Sequence, residues 1–515
     1  MKQIKSLDKS ELLEVGFLSF VANILSKVFT IPIGIIIASI LGPINYGILA
    51  IINLIFQYLA YSNLGVLMNI TREVPIAYGK NDLKEVKLLY DITFTNYCIY
   101  NVFSVVLICI ICTLGFLDDL LTFQIFILIT LIFLSKNLVS FYHTYLKGEG
   151  LFFQLAQNEI ILKVGLPIIS LILVWLFNIE GMLISMIVIN LVSFLFIFKK
   201  LNKPNLSFNF NLKKTKELLS TSVFMHFNKI IDGIFISMGI LFTSTFLSLE
   251  DVGVLSFAMF IATVDKVPFA NSITMIIGRE MSVSAGKEGE NNYYAFNKFF
   301  GKKLSVFMLL TSTVLGMLVI FYSVLVNTFL IEFSESTPIF IILFFSINFY
   351  NIRSFMYSYF NATLQMAKRS LILITGILIN LVLCSFSIYF EFGIIGIAFS
   401  ISLSFIIISF QVITVTLDQV NSNKFIKYWF LLKLLIISII LTSLVYYFSY
   451  NEFFEYNSDY KSLYNLSYVL LDVSLKFLIF GSISLFIFCI LFQNQKILQE
   501  LIIYFKIALK KIGFS

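Results

Sequence analysis

Seven basic and four acidic side chains interrupt stretches of this chain that are otherwise apolar: Lys27, Lys136, Lys163, Lys229, Lys266, Arg353 and Lys476, with Glu159, Asp232, Asp265 and Asp472. A charge among hydrocarbon is costly, so such residues face protein or a wet cavity and mark candidate sites. Pairing along a helix explains part of the set. Glu159–Lys163 and Asp472–Lys476 are i,i+4 pairs with the acid first, and Lys229–Asp232 is an i,i+3 pair. Asp265 and Lys266 are adjacent, point about 100° apart and cannot neutralise each other. Lys27 and Arg353 have no acid within one turn. Seven cations less four acids leave a formal +3. In a low-dielectric cavity that excess attracts an anion and repels organic cations. The alternative is that these cations only tie neighbouring helices together or hold lipid phosphates.

Such side chains need elements that can carry them across a bilayer. Of 515 residues, 59% are hydrophobic and only 13% charged, against about 25% charged in a soluble domain. Mean hydropathy is +0.94. A globule of this length could not hide so much apolar side chain, so the chain is read as a polytopic membrane protein. A hydrocarbon core about 30 Å thick needs roughly 20 apolar residues per helix. Fourteen stretches qualify: 16–41, 45–70, 89–116, 121–146, 153–178, 182–198, 219–246, 252–278, 304–331, 337–364, 371–390, 394–416, 428–450 and 465–492. The two-residue alternation of a membrane β-barrel is missing, so the expected fold class is all-α.

The connecting segments test that count. Alternate segments, from the N-terminus to the tail after 493, hold 28 of the 36 Lys and Arg residues when Lys433 is included. The opposite segments carry Asp118, Asp119, Glu180, Glu250, Asp251, Glu332, Glu335, Glu391, Glu452, Glu455 and Asp459 with one cation, Lys461. A miscounted helix would scramble this alternation. The positive-inside rule places both termini in the cytoplasm, so the net charge of +7 is a topology signal and calls for no nucleic-acid partner. The N-terminus, with Lys2, Lys5 and Lys9 and no small-residue cleavage site, reads as part of the mature chain. The tail 494–515 reads as an amphipathic helix on the inner leaflet, with a solvated coil as the alternative. Five scattered cysteines and two histidines make no metal or hydrolase centre, and no Walker motif is present.

The first six spans resemble the next six. Arg72-Glu73 is followed six residues on by Gly79-Lys80, as Arg279-Glu280 is by Gly286-Lys287. The turn Leu41 to Gly47 (LGPINYG) matches Leu247 to Gly253 (LSLEDVG) at its ends. Asn137, Ser140, Phe141 and Tyr145 match Asn351, Ser354, Phe355 and Tyr359, and Gly181 matches Gly393. The offset drifts only from 206 to 214 residues across these landmarks. Six helices per half make parallel repeats about an axis along the membrane normal, a transporter layout that leaves a central cleft for alternating access. The expected organisation is a six-helix bundle over 1–198, a cytoplasmic loop over 199–216, a second bundle over 217–416, helices 13 and 14 over 428–492 and the tail 494–515.

The LGPINYG turn, the Gln57–Tyr61 stretch and the segment NITREVPIAYGK resemble the bacterial polysaccharide flippases of the multidrug/oligosaccharidyl-lipid/polysaccharide exporter superfamily. The likeness covers the whole chain and implies a 6+6+2, multidrug-and-toxin-extrusion-like fold of about 14 transmembrane helices in the bacterial plasma membrane. It implies a transporter and no enzyme, moving lipid-linked, usually undecaprenyl-diphosphate-linked, oligosaccharide to the outer leaflet for surface polysaccharide synthesis. Glycan polymerase or glycosyltransferases of the same pathway are the implied partners, and no cofactor is expected. The superfamily also holds cation-coupled drug antiporters, which are the alternative. Under the flippase reading, Lys27, Lys229, Lys266 and Arg353 form the diphosphate-binding group, Arg353 offering a bidentate fork. Asn23 and Asn351 would hydrogen-bond sugars. Arg72, Glu73, Arg279 and Glu280 are cytoplasmic anchors and gate ion pairs, or else the inward entrance for the diphosphate. Asp232 and Asp265 are the acids available for coupling to H⁺ or Na⁺.

Overall fold

A helix of 49 residues, at 1.5 Å per residue, would run about 74 Å, more than twice the thickness of a bilayer core. The segment Phe152–Lys200 is that long, and it is broken at Asn178 (φ 50°, ψ −130°). The computed structural model describes residues 9–63, 65–113, 123–200, 206–262, 293–362, 366–419, 424–451 and 463–492. Among these, thirteen α-helices and two short 3₁₀ turns occur, with no strand. The helices are α1 (Lys9–Leu59), α2 (Val66–Gly79), α3 (Leu83–Thr113), α4 (Phe123–Gly148), α5 (Phe152–Lys200), α6 (Leu212–Phe246) and α7 (Leu249–Ala262). They continue with α8 (Tyr293–Phe329), α9 (Ser336–Ala362), α10 (Met366–Tyr389), α11 (Gly393–Gln419), α12 (Lys424–Tyr450) and α13 (Leu463–Phe492).

Ten described helices are long and apolar enough to cross a membrane. Two of the ten, in α1 and α5, are each broken into two, which accounts for the first two and the fifth and sixth expected spans. The expected span 252–278 runs from α7 into residues outside the described set, and α9 enters with a shorter apolar run, Ser336–Ser346. The expectation of an all-helical polytopic membrane protein therefore holds. The tail 494–515 lies outside the described residues.

The breaks follow from backbone chemistry. Gly42 sits at φ 69°, ψ 171°, a region open essentially to glycine alone. Pro43 then starts the next helical stretch, where its missing N–H costs nothing, and Asn45 Nδ2 donates to the Leu41 carbonyl at 2.9 Å. The matched turn at Leu247 uses a different device. Ser248 Oγ accepts from the Asp251 amide at 3.1 Å while Asp251 Oδ2 accepts from the Ser248 amide at 3.0 Å, a reciprocal N-terminal cap. Asn178 and Glu391, both at positive φ (50° and 56°), turn two helical hairpins 391 − 178 = 213 residues apart, inside the sequence offset of the repeat. The second expected span, 45–70, is not one continuous helix. It ends at Leu59, passes through the 3₁₀ turn Ala60–Asn63 and restarts after left-handed Gly65. The restarted helix α2 runs on to Gly79 because Val66, Ile70, Val74 and Ala77 recur on one face and are all buried.

The chain divides into two packed units, Met1–Ser237 and Met238–Ser515. In the first, α2, α3 and α4 share a core of Ile70, Val74, Leu89, Tyr90, Phe141 and Leu146. In the second, Tyr322 and Phe333 close on Phe257 with ring centroids 5.3 and 4.6 Å away. There α11 lies against α9 through small residues, Ser402 and Ser409 donating to the carbonyls of Ile342 and Phe349 at 2.9 and 2.8 Å. Small hydroxyl side chains allow this approach where no hydrophobic force drives helices together.

Candidate functional site

Arg353 is 1% exposed, and rings from two helices of the second unit, α9 and α11, lie against it. Tyr350 and Tyr357 lie three residues before and four after it on α9, so both flank it on one helical face. Its guanidinium carbon is 4.4 Å from the Tyr350 ring centroid, 5.2 Å from that of Tyr357 and 5.9 Å from that of Phe405 on α11. Aromatic faces carry partial negative charge and attract a cation more strongly once it is desolvated. Arg369, at the start of α10, stacks on Tyr357 as well, 4.4 Å from the ring centroid. One buried tyrosine thus has two guanidiniums against it. The sequence places Arg369 in a connecting loop and nothing in its spacing marks it; only the α9–α10 pairing reveals it.

A second polar locus lies in the first unit, where the Gln57–Tyr61 stretch meets α6. Gln57 Nε2 donates to Tyr61 Oη and to the Gly233 carbonyl, each at 3.1 Å. Ser237 Oγ also donates to Gly233 O at 2.9 Å and receives the Tyr58 hydroxyl at 2.9 Å. His226 Nε2 donates to the Tyr61 carbonyl at 3.1 Å. Lys229 is exposed and Asp232 half-buried on the same stretch of α6. Neither Gln57 nor His226 was expected to bond there; an apolar-period reading ranks polar side chains only by their charge.

Two of the three expected intrahelical pairs, Glu159–Lys163 and Asp472–Lys476, are formed. Lys163 Nζ is 2.9 Å from Glu159 Oε2, half exposed, whereas Lys476 Nζ is 2.6 Å from Asp472 Oδ2 with both side chains essentially sealed, at 1% and 0% exposure. Lys136 is exposed on α4 with its ammonium 5.7 Å from the Phe56 ring centroid. Glu73 is half-buried on α2. Asn23 and Lys27 fall on α1, Arg72 on α2 and Asn351 on α9, with their side chains outside the described set. Asp265, Lys266, Arg279 and Glu280 lie outside the described residues altogether.

Two further polar groups escaped sequence reasoning. Asn158 on α5 accepts from Ser193 Oγ at 2.8 Å, donates to the Ser193 carbonyl at 2.9 Å and bonds His143 Nε2 on α4. Asp91 on α3 is 4% exposed and accepts the Ser207 amide and hydroxyl at 2.8 and 2.7 Å. Together with Asn209 N donating to Thr95 Oγ1 at 2.8 Å and Asn96 Nδ2 donating to Thr215 Oγ1 at 3.1 Å, this straps the segment before α6 along α3. Lys214 closes the strap on Glu85 at 2.9 Å, and that hydrogen bond raises the lysine above its ordinary pKa. Nearby, burial first and then the 2.8 Å bond to Glu149 raise the Tyr78 hydroxyl.

No family model matches the chain, and no curated protein matches its sequence. Solved structures do. The lipid II flippase MurJ in an inward closed conformation is similar over 92% of this chain and 98% of its own, with 15% identity and a TM-score of 0.64. An inward-facing multidrug resistance MATE family transporter of the MOP superfamily matches 84% of this chain and 99% of its own, with 12% identity and a TM-score of 0.58. The Vibrio cholerae MATE transporter VcmN matches 78% of this chain and 95% of its own, with 15% identity and a TM-score of 0.55. Identities this low establish a shared fold: the chain has the helical architecture of MurJ and the MATE transporters.

Proposed function

We propose that the chain is a flippase that carries lipid-linked, diphosphate-bearing oligosaccharide from the cytoplasmic to the outer leaflet of a bacterial plasma membrane, for surface polysaccharide synthesis. The balance of charge at membrane depth carries this reading. With Glu159–Lys163 and Asp472–Lys476 closed as ion pairs, 7 − 2 = 5 cations stand against 4 − 2 = 2 acids. That bias suits a diphosphate. The shared fold with a lipid II flippase supports the substrate class, as does the sequence resemblance around Gln57–Tyr61 and Arg72.

A glycan headgroup cannot cross hydrocarbon unaided, since each unsatisfied polar group costs several kcal/mol there. Polar walls within the protein remove that cost while the isoprenoid tail stays in lipid. An anion leaving a negative interior gains about 2.3 kcal/mol per charge per 100 mV. In this reading residues 1–198 and 217–416 work as two alternating bodies, with Asp232 and Asp265 available to H⁺ or Na⁺. Glycosyltransferases and a polymerase of the pathway supply and consume the substrate.

The test is a deletion strain assayed for lipid-linked oligosaccharide retained on the inner leaflet. Accumulation there with loss of surface glycan is the expected result. Unimpaired glycan in a strain with no second transporter of this class rejects the reading. Cation-coupled export of small organic molecules is the second reading, favoured by the fold shared with two multidrug-type transporters. Proteoliposomes that drive ethidium uptake or efflux under an imposed cation gradient, and that leave lipid diphosphates unmoved, would select it.

A further inference from the structure

We infer that residues 206–212 and the foot of α3 form a binding surface for an anionic phospholipid of the lysine-rich leaflet, its phosphate at Lys84 and Lys87 and its acyl chains on Phe208 and Phe210. The surface lies wholly in the first unit and serves whatever the protein transports. Its depth follows from the strap. The crossing part of α3, Leu83–Ile110, has 28 residues, or about 42 Å. Centred on a hydrocarbon core of about 30 Å, it overhangs by about 6 Å at each end. Asp91 and Thr95 stand about 12 and 18 Å from its start, and they hold Ser207 and Asn209. The segment before α6 therefore runs at the depth of lipid. Ser207 and Asn209 turn polar groups to α3, and the two-residue alternation of an extended chain turns Phe208, Phe210 and Leu212 outward, at 65%, 73% and 84% exposure. The Phe208 ring keeps contact with α3 through Phe94, 5.4 Å between centroids.

Charge selects the lipid. Lys84, Lys87, Leu88 and Asp91 recur at i, i+3, i+4 and i+7, one face of α3, and with Leu83 they line a cavity of about 320 Å³. Asp91 gives both carboxylate oxygens to Ser207. The other acids nearby are engaged too. Asp82 accepts from the Glu85 amide at 3.0 Å, and Glu85 and Glu217 hold Lys214 at 2.9 and 3.4 Å. Lys84 and Lys87 are exposed and make no ion pair among the described residues. They start about 10 and 6 Å nearer the aqueous end of α3 than Asp91, the order in which a phospholipid carries its phosphate above its chains. An anionic headgroup there gains from both lysines and from exposed Lys213 and Lys216 at the start of α6. A zwitterionic headgroup brings its own ammonium and gains little.

The test uses the purified full-length protein in detergent and in nanodiscs, with phosphatidylglycerol, phosphatidylcholine and water-soluble glycerol 3-phosphate as probes. The wild type should bind phosphatidylglycerol ahead of phosphatidylcholine, and K84Q/K87Q should bind it about 30-fold more weakly, the worth of two lysines near an anionic surface. Equal binding of the two lipids by the wild type, or unchanged phosphatidylglycerol binding by K84Q/K87Q, overturns the inference. If K84Q/K87Q also lowers Tm in phosphatidylcholine nanodiscs, K84R/K87R decides: a retained preference supports the charge contact, and its loss overturns it. Glycerol 3-phosphate competing as well as phosphatidylglycerol marks a free-phosphate site and overturns the lipid assignment. Depth is read separately from Phe210→Trp in a chain whose two tryptophans, Trp175 and Trp429, are replaced by Phe. Quenching by acyl-brominated lipid and not by aqueous iodide is expected. Quenching by iodide alone shows a solvated loop, and shielding from both shows a cover of protein; either result overturns the inference.

Discussion

The amide nitrogen of Gln57 donates at 3.1 Å to the carbonyl of Gly233, 176 residues away, joining α1 to α6. Glycine at 233 is what admits this contact. A Cβ there would meet Tyr61 Oη at 1.6 Å, its ring carbon at 2.8 Å and Gln57 Nε2 at 3.1 Å. Gly233→Ala should therefore lower stability by about 1–3 kcal/mol, the usual cost of overpacking. Tyr61→Phe in the same background should recover part of the loss, because it removes the atom struck first. Thermal unfolding in detergent measures both. An unchanged Tm for Gly233→Ala would mean that α1 and α6 do not approach in this way.

Asp472 and Lys476 pose the opposite problem, a salt bridge taken wholly out of solvent. Desolvation cancels much of the attraction of such a pair, so its removal as a unit costs little, whereas one partner left alone is an uncompensated buried charge. Asp472→Asn should destabilise by about 3–5 kcal/mol. Asp472→Leu combined with Lys476→Met should lie near the wild type. A double-mutant cycle by chemical denaturation separates the two. Additive losses would show that the side chains do not share an ion pair.

The contrast between these loci explains what was legible in the sequence. The i,i+4 spacing of Asp472 and Lys476 predicts their bond because one helix supplies both groups. Helix ends were legible for the same local reason: a span ending at 178 was expected, and the break falls at Asn178. The α2 restart was missed because a hydropathy window averages across the left-handed Gly65. The bond from Gln57 to Gly233, the strap of Asp91 on Ser207 and the stacking of Arg369 on Tyr357 are set by which helices become neighbours. Spacing along one chain does not encode that. Charge count flagged Arg353 as unusual, but only tertiary structure shows that aromatic rings enclose it.

The strap along α3 carries a pH prediction. The hydrogen bond from Lys214 to Glu85 raises the lysine above its ordinary value of 10.5. A raised lysine pKa favours folding fully below the ordinary value, and this contribution fades as pH climbs through the raised one. Because the Lys214 side chain is a quarter exposed, solvent screening limits the effect to a few tenths of a kcal/mol. The Tm difference between wild type and Glu85→Gln should be positive and constant near neutrality and shrink only as pH rises past the ordinary lysine value of 10.5. A difference that does not change with pH would mean that the pair contributes through packing alone.

A substitution at Arg353 tests stability and transport separately. Its charge is buried at 1% exposure against the faces of Tyr350 and Tyr357, a placement that adds little to folding relative to an apolar side chain of similar length. Arg353→Met should therefore fold with a Tm close to the wild type while flipping of a fluorescent lipid-diphosphate glycan in proteoliposomes falls about 10- to 100-fold, the worth of one charged hydrogen bond. Arg353→Lys keeps the charge but lacks the flat face that stacks on both tyrosines, so its rate should fall between the two. If Arg353→Met flips at the wild-type rate, the buried cation has no part in moving the substrate. If Arg353→Lys matches the wild type, charge suffices and the ring stacking is incidental to transport.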